Sequence, residues 1–166
     1  MSDLDQIMKE KVSHSGIFDF GGFYKYAHDW FEDEGYGVVE VKYTEKVAGN
    51  TRNIYMEWHA NKKFSDYYKV QFKMRWWVDN LAEVEVEIDG EKKKLNKGVI
   101  TLEIKGELIK DPDSKWDVNP FLQFMRQIYQ KYVIPQKLEN MELKLLSDGQ
   151  TFKDELKAYL ELTGKR

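Results

Sequence analysis

The run FSDYYKVQFKMRWWV, residues 64–78, decides the fold of this chain. Tyr68, Val70, Phe72, Met74, Trp76 and Val78 fall on one side of it, and Tyr67, Lys69, Gln71, Lys73, Arg75 and Trp77 fall on the other. A period of two held this long suits a strand and not a helix, because successive strand side chains point to opposite faces of a sheet. The run is therefore expected to be a central antiparallel strand with one face in the core.

Strands are expected on both sides of it. Upstream, Val39, Val41 and Tyr43 alternate, Ala48-Gly49-Asn50-Thr51 supplies a turn, and Ile54, Met56, Trp58 and Ala60 alternate with Tyr55, Glu57, His59 and Asn61. Downstream, Asp79-Asn80 reads as a break. Val84, Val86 and Ile88 then oppose Glu83, Glu85 and Glu87, Asp89-Gly90 makes a hairpin, and Ile100, Leu102, Ile104 and Leu108 face inward from a last strand. The sum is an antiparallel meander of about five strands, or six if residues 12–20 begin with a short strand of their own. Before that strand, Leu4, Ile7, Met8, Lys11 and Val12 recur at helical spacing in a terminal segment, residues 1–11, short enough to fray.

Two regions carry the helical period. Asp19 is placed to cap a helix in which Phe20, Phe23, Tyr24, Ala27, Trp30 and Phe31 form one apolar stripe, ending near Gly35. The pair Gly21-Gly22 near its start reads as close packing on the sheet rather than a phosphate turn, for it lacks a lysine and a longer glycine pattern. After a turn at Asp111-Pro112-Asp113-Ser114, Asn119 and Pro120 open a second helix through Phe121, Phe124, Met125, Ile128 and Tyr132, interrupted at Pro135. Residues 137–146 fit a helix through Leu138, Met141 and Leu145 or a strand through Met141, Leu143 and Leu145, and helix is the expectation. Ser147-Asp148-Gly149 reads as a further break, with Thr151 and Asp154 starting a last helix through Phe152, Leu156, Tyr159 and Leu160. The fold class is α+β: a single domain over residues 1–166, with the helices packed on one face of the sheet.

Composition bounds the function classes. The 166 residues are 42% hydrophobic and 14% aromatic, enough for one core, and 33% charged with a net charge of -3. No overall field draws the molecule to nucleic acid or to an anionic membrane. Without cysteine there is no disulfide, thiolate zinc site or cysteine nucleophile, and a cytoplasmic protein is expected. No stretch approaches the roughly 20 apolar residues of a membrane span, so no membrane partner is expected.

The chemistry-bearing residues give little. His14, His28 and His59 lie in three different elements, so a metal would need them to converge with a carboxylate such as Glu57 or Asp29; no metal and no cofactor are expected. No serine stands in a nucleophile elbow, and no catalytic residue is assigned. Glu83, Glu85 and Glu87 read as a salt-bridged, solvated face shared with Lys69, Lys73, Arg75, Lys92 and Lys94. Tyr67, Lys69, Lys73, Arg75 and Trp77, with Tyr55 and His59 from the neighbouring strand, combine positive charge with aromatic rings on one face. That composition suits the centre of a protein interface, and it also matches a platform for single-stranded nucleic acid, which the sign balance disfavours.

The order of elements is similar to the helix-grip architecture of the lipid-transfer and polyketide-cyclase-like superfamily. This resemblance implies an apolar cavity between sheet and last helix, lined by Phe72, Met74 and Trp76 beneath Phe121, Phe124 and Met125. Separately, Tyr24-x-Tyr26-x3-Trp30-x4-Gly35-Tyr36, with Ser65-Asp66-Tyr67 and Lys157-x2-Leu160, resembles uncharacterised proteins of archaeal genomes. That resemblance carries no site. The sequence thus favours a non-catalytic interaction or assembly domain, with a protein partner that includes a second copy of itself. A binder of a small apolar ligand is the alternative, and single-stranded nucleic acid binding a further one.

Overall fold

A computed structural model describes residues 3–64, 68–110, 120–121, 124 and 134–164. Five strands, β1 (Asp3–Phe18), β2 (Gly37–Ala48), β3 (Thr51–Lys63), β4 (Tyr68–Ile88) and β5 (Glu91–Lys110), form one open antiparallel sheet in the order β1-β5-β4-β3-β2. Two helices, α1 (Phe20–Asp33) and α2 (Ile134–Gly164), cover one face of it. The fold is α+β, with β4 at its centre. None of the described helices is long and apolar enough to cross a membrane.

The core follows from the alternation of β4. Tyr68, Val70, Phe72, Met74, Trp76 and Val78 are all buried, together with Ile54, Met56, Trp58 and Ala60 of β3 and Ile100, Leu102, Ile104 and Leu108 of β5. On these sit Phe23, Ala27 and Phe31 from α1 and Leu145, Phe152, Leu156 and Leu160 from α2. α1 ends as its sequence requires. Gly35 takes a φ of 88° and donates to the Glu32 carbonyl at 3.0 Å, while the Tyr36 amide donates to the Phe31 carbonyl at 2.8 Å. The rings of Tyr36 and Phe31 meet edge to face at 5.6 Å, completing a Schellman stop with its hydrophobic contact. Asp89 and Gly90 both have positive φ, as the tight β4–β5 hairpin demands.

Three expectations are corrected, each where a local signal yields to a tertiary contact. Residues 4–12 belong to strand β1, paired with β5 along its whole length. A register shift between Gln6 and Met8 places the apolar Ile7 and Met8 side by side, and this bulge imitates a helical period. Asp79-Asn80 is also a bulge, inside one continuous 21-residue strand, with Asn80 at a φ of 55°. Gly98 opposite makes room for it, since a Cβ there would lie 2.9 Å from the Asp79 carbonyl oxygen. The sheet therefore has five strands, the N-terminal one included.

Third, α2 does not start after a break at 147–149; the helix expected through Met125, Ile128 and Tyr132, and its interruption at Pro135, lie outside the described residues, which omit 125–133. Pro135 sits in its first turn, where no amide donor is needed, and the helix runs unbroken through Ser147, Asp148 and Gly149. Gly149 is a contact point rather than a breaker: a Cβ on it would lie 2.1 Å from Met8 Sδ and 3.2 Å from the Phe72 ring. Gly149→Ala would gain about 1 kcal/mol of helix propensity but overpack this contact by roughly 1–3 kcal/mol. A net loss of stability is expected, and a thermal melt showing stabilisation would contradict this docking of α2.

Candidate interaction face

The opposite face of the sheet is left uncovered by α1 and α2, and strand register sets out its side chains in rows. Residues directly opposite in antiparallel strands share a face, so one row reads Lys9, Lys105, Lys73, His59 from β1 through β5 and β4 to β3. Two residues along the strands, the next row reads Lys11, Glu103, Arg75, Glu57, Lys42, alternating in sign. The third reads Ser13, Thr101, Trp77, Tyr55, Thr44. Like charges directly opposite one another destabilise a sheet. The first row accumulates that repulsion across three strands.

The alternating row is internally bonded. The Tyr55 hydroxyl donates to Glu57 Oε1 at 2.6 Å and accepts from Arg75 Nε at 3.1 Å. Arg75 lies 5.9 Å over the Trp77 ring, Lys42 lies 5.7 Å over the Tyr55 ring, and the two rings meet at 5.6 Å. The hydrogen bond from Tyr55, followed by the charge of Arg75, holds the Glu57 carboxyl below its usual range. In the cationic row, Lys73 reaches the buried Glu107 at 3.4 Å and Lys105 reaches Glu103 at 4.0 Å. Burial, then the neighbouring Lys73, pushes the His59 imidazole below its ordinary value. Between the two rows lies a shallow pocket of about 120 Å³ lined by Glu57, His59, Lys73, Arg75, Glu103 and Lys105.

The structure brings Lys73, Arg75 and Trp77 together with Tyr55 and His59, and Lys69 lies on the same face opposite Lys63 and Ile109. Tyr67 lies outside the described residues. Sequence reading missed Lys9, Lys11, Lys105 and Glu103, which reach the site from strands far along the chain; no local signal marks them. Glu83, Glu85 and Glu87 form the expected solvated face beside Lys92 and Lys94, with Lys94 3.7 Å from Glu83, but the expectation that Lys69, Lys73 and Arg75 share that face is corrected. The glutamates oppose Asn96, Lys94 and Lys92 of β5, whose even-numbered neighbours Ile100, Leu102 and Ile104 are buried, so they share the face of the helices. The bulge after Asp79 has reversed the parity of the strand. Those glutamates therefore do not neutralise Lys73 and Arg75.

Phe72, Met74 and Trp76 are buried, but rings from the helices already cover them: Phe31 stands 5.6 Å from Phe72, Phe23 5.0 Å from Trp76 and Phe152 6.4 Å from Trp76. Phe121 and Phe124 are exposed, and Met125 lies outside the described residues. Among the described residues, one group of potential metal ligands gathers, His28, Asp29 and Glu32 on α1, with a single histidine that is already paired to Glu32 at 3.5 Å. The first turn of α1 is faced by the Asp19 carboxylate, whose oxygen would lie 2.6 Å from a Cβ on Gly22. A negative group there repels phosphate. No protein-family model matches the chain, and none of the curated proteins matches it.

Proposed function

We propose that this protein is a non-catalytic interaction domain that docks an acidic protein partner on the sheet face opposite α1 and α2. One observation carries the reading: the alignment of Lys9, Lys105 and Lys73 across three strands, which leaves this face with cations in excess of Glu57, Glu103 and Glu107 for a partner's carboxylates to meet. The alternating row beside it supports a protein over a nucleic acid. A phosphate backbone is uniformly negative and would meet Glu57 and Glu103, whereas a protein surface can match both signs. Tyr55, Trp77 and Arg75 supply the residue types found at interface centres.

The test uses a labelled glutamate-rich peptide and follows its anisotropy. The full chain should bind it in a salt-sensitive manner, and Lys9→Glu with Lys105→Glu, which leaves the Lys73–Glu107 pair in place, should weaken binding at least about tenfold without lowering the melting temperature by more than a few degrees. Unchanged affinity in the double variant would overturn the reading. A single-stranded oligonucleotide of equal charge binding more tightly than the peptide would replace the protein partner with nucleic acid.

A further inference from the structure

The sheet is open, and its two edge strands differ. β1 is tied to α2, where Gln150 Nε2 donates to Glu10 Oε1 at 2.9 Å and Lys153 reaches the same carboxylate at 3.6 Å. β2 pairs with β3 on one side and, among the described residues, with no strand on the other. Every side chain from Val39 to Ala48 is exposed, and four of them are large and apolar: Val39 at 57%, Val41 at 52%, Tyr43 at 43% and Val47 at 70%. An edge strand presents a row of unpaired N–H and C=O groups, and with apolar side chains beside them it is a template for one more strand.

The strand's own sequence selects what fits there. A bulge interrupts β2 between Glu40 and Lys42, and from Lys42 to Ala48 its register with β3 is unbroken. Two copies of that stretch related by a two-fold axis would pair antiparallel, and opposed residues must share a face, so the axis passes through a residue. An axis at Thr44 sets Lys42 against Lys46 twice, and an axis at Lys46 sets that lysine against its own copy, both repulsive. Axes nearer either end pair only a short piece. An axis at Glu45 pairs the whole of Lys42–Ala48. Tyr43 then meets Val47 of the second copy on the face that Met56 and Ile54 share, and Thr44 meets Lys46 on the other. The two Glu45 carboxylates on the axis are not bare charges, for Arg52 Nη1 donates to Glu45 Oε1 at 3.0 Å within each copy.

We infer that the protein forms a symmetric dimer through β2, a second copy pairing antiparallel over Lys42–Ala48 with Glu45 on the two-fold axis, so that two sheets continue into one. Sedimentation velocity on the full chain should show a monomer–dimer equilibrium between about 1 μM and about 1 mM. Val47→Lys puts a charge at an exposed edge position and should move the midpoint at least about tenfold to higher concentration. Because the chain has no cysteine, Glu45→Cys sets a single thiol on the axis, and mild oxidation should link it to its copy, whereas Lys11→Cys on the β1 edge should not cross-link. A monomer throughout that range would overturn the inference and leave the edge to an extended segment of another protein. A dimer that Val47→Lys leaves unchanged, or cross-linking no better at 45 than at 11, would overturn it as well. The edge lies apart from the face opposite α1 and α2, so neither result depends on the peptide titration.

Discussion

Truncating Phe152 to alanine is expected to remove about 3–5 kcal/mol of stability and to lower the melting temperature by roughly 10 °C or more. Phe152 is fully buried where three elements meet: its ring lies 5.0 Å from Trp30, 4.5 Å from Phe31 and 6.4 Å from Trp76. These neighbours are large, and they are fixed by α1 and β4, so they cannot collapse into the space a phenyl ring leaves. The cost therefore contains a cavity term in addition to the lost transfer energy. Leu162, on the same helix but 60% exposed, is the control: its alanine variant should change stability by less than about 0.5 kcal/mol. Equal effects at the two positions would mean that α2 does not dock through this face.

A second large effect is expected at the buried polar contact beneath α2. The Tyr36 hydroxyl donates to Asp148 Oδ2 at 3.0 Å, and Lys144 Nζ donates to Asp148 Oδ1 at 3.1 Å. Both Tyr36 and Asp148 are buried. Asp148→Ala strands the Tyr36 hydroxyl without a partner and should cost about 1–3 kcal/mol, whereas Tyr36→Phe leaves Asp148 paired with Lys144 and should cost about 1 kcal/mol. Burial, and next the charge of Asp148, pushes the Tyr36 phenol far above its ordinary value. The unfolded chain thus loses this proton near pH 10 while the folded chain keeps it. The contribution is fully present below about pH 10 and drains away as pH rises beyond it. Tyr24, pushed up to about 12 by burial and then by its hydrogen bond to Glu40, acts in the same direction. Urea midpoints measured from about pH 8 to pH 11 should fall steeply in the parent protein and less steeply in Tyr36→Phe. Parallel curves would contradict the buried contact.

Where the sequence was legible, one residue's environment followed from its immediate neighbours. The alternation of residues 68–78 placed Phe72 and Trp76 inside and Lys73, Arg75 and Trp77 outside, and the structure agrees at each position. Gly35 and Asp89-Gly90 were equally readable, because positive φ is a local demand. Ile7, Asn80 and Gly149 were not. Each disturbs a local pattern for a reason that lies elsewhere in the fold: the register with β5, the space above Gly98, and the contact with Met8 and Phe72. The bulge at Asn80 mattered most for function, since it carried Glu83, Glu85 and Glu87 away from the basic face. Half of that face was visible in one strand; Lys9 and Lys105 became part of it only through register.

The central claim is that the sheet face opposite α1 and α2 is the docking surface, and amide chemical-shift mapping of the isotope-labelled chain during titration with the glutamate-rich peptide tests it most directly. The account predicts saturable shifts centred on Lys9, His59, Lys73, Arg75 and Lys105, fading as salt is raised. Shifts confined to α1 and α2, or none that saturate, would contradict it.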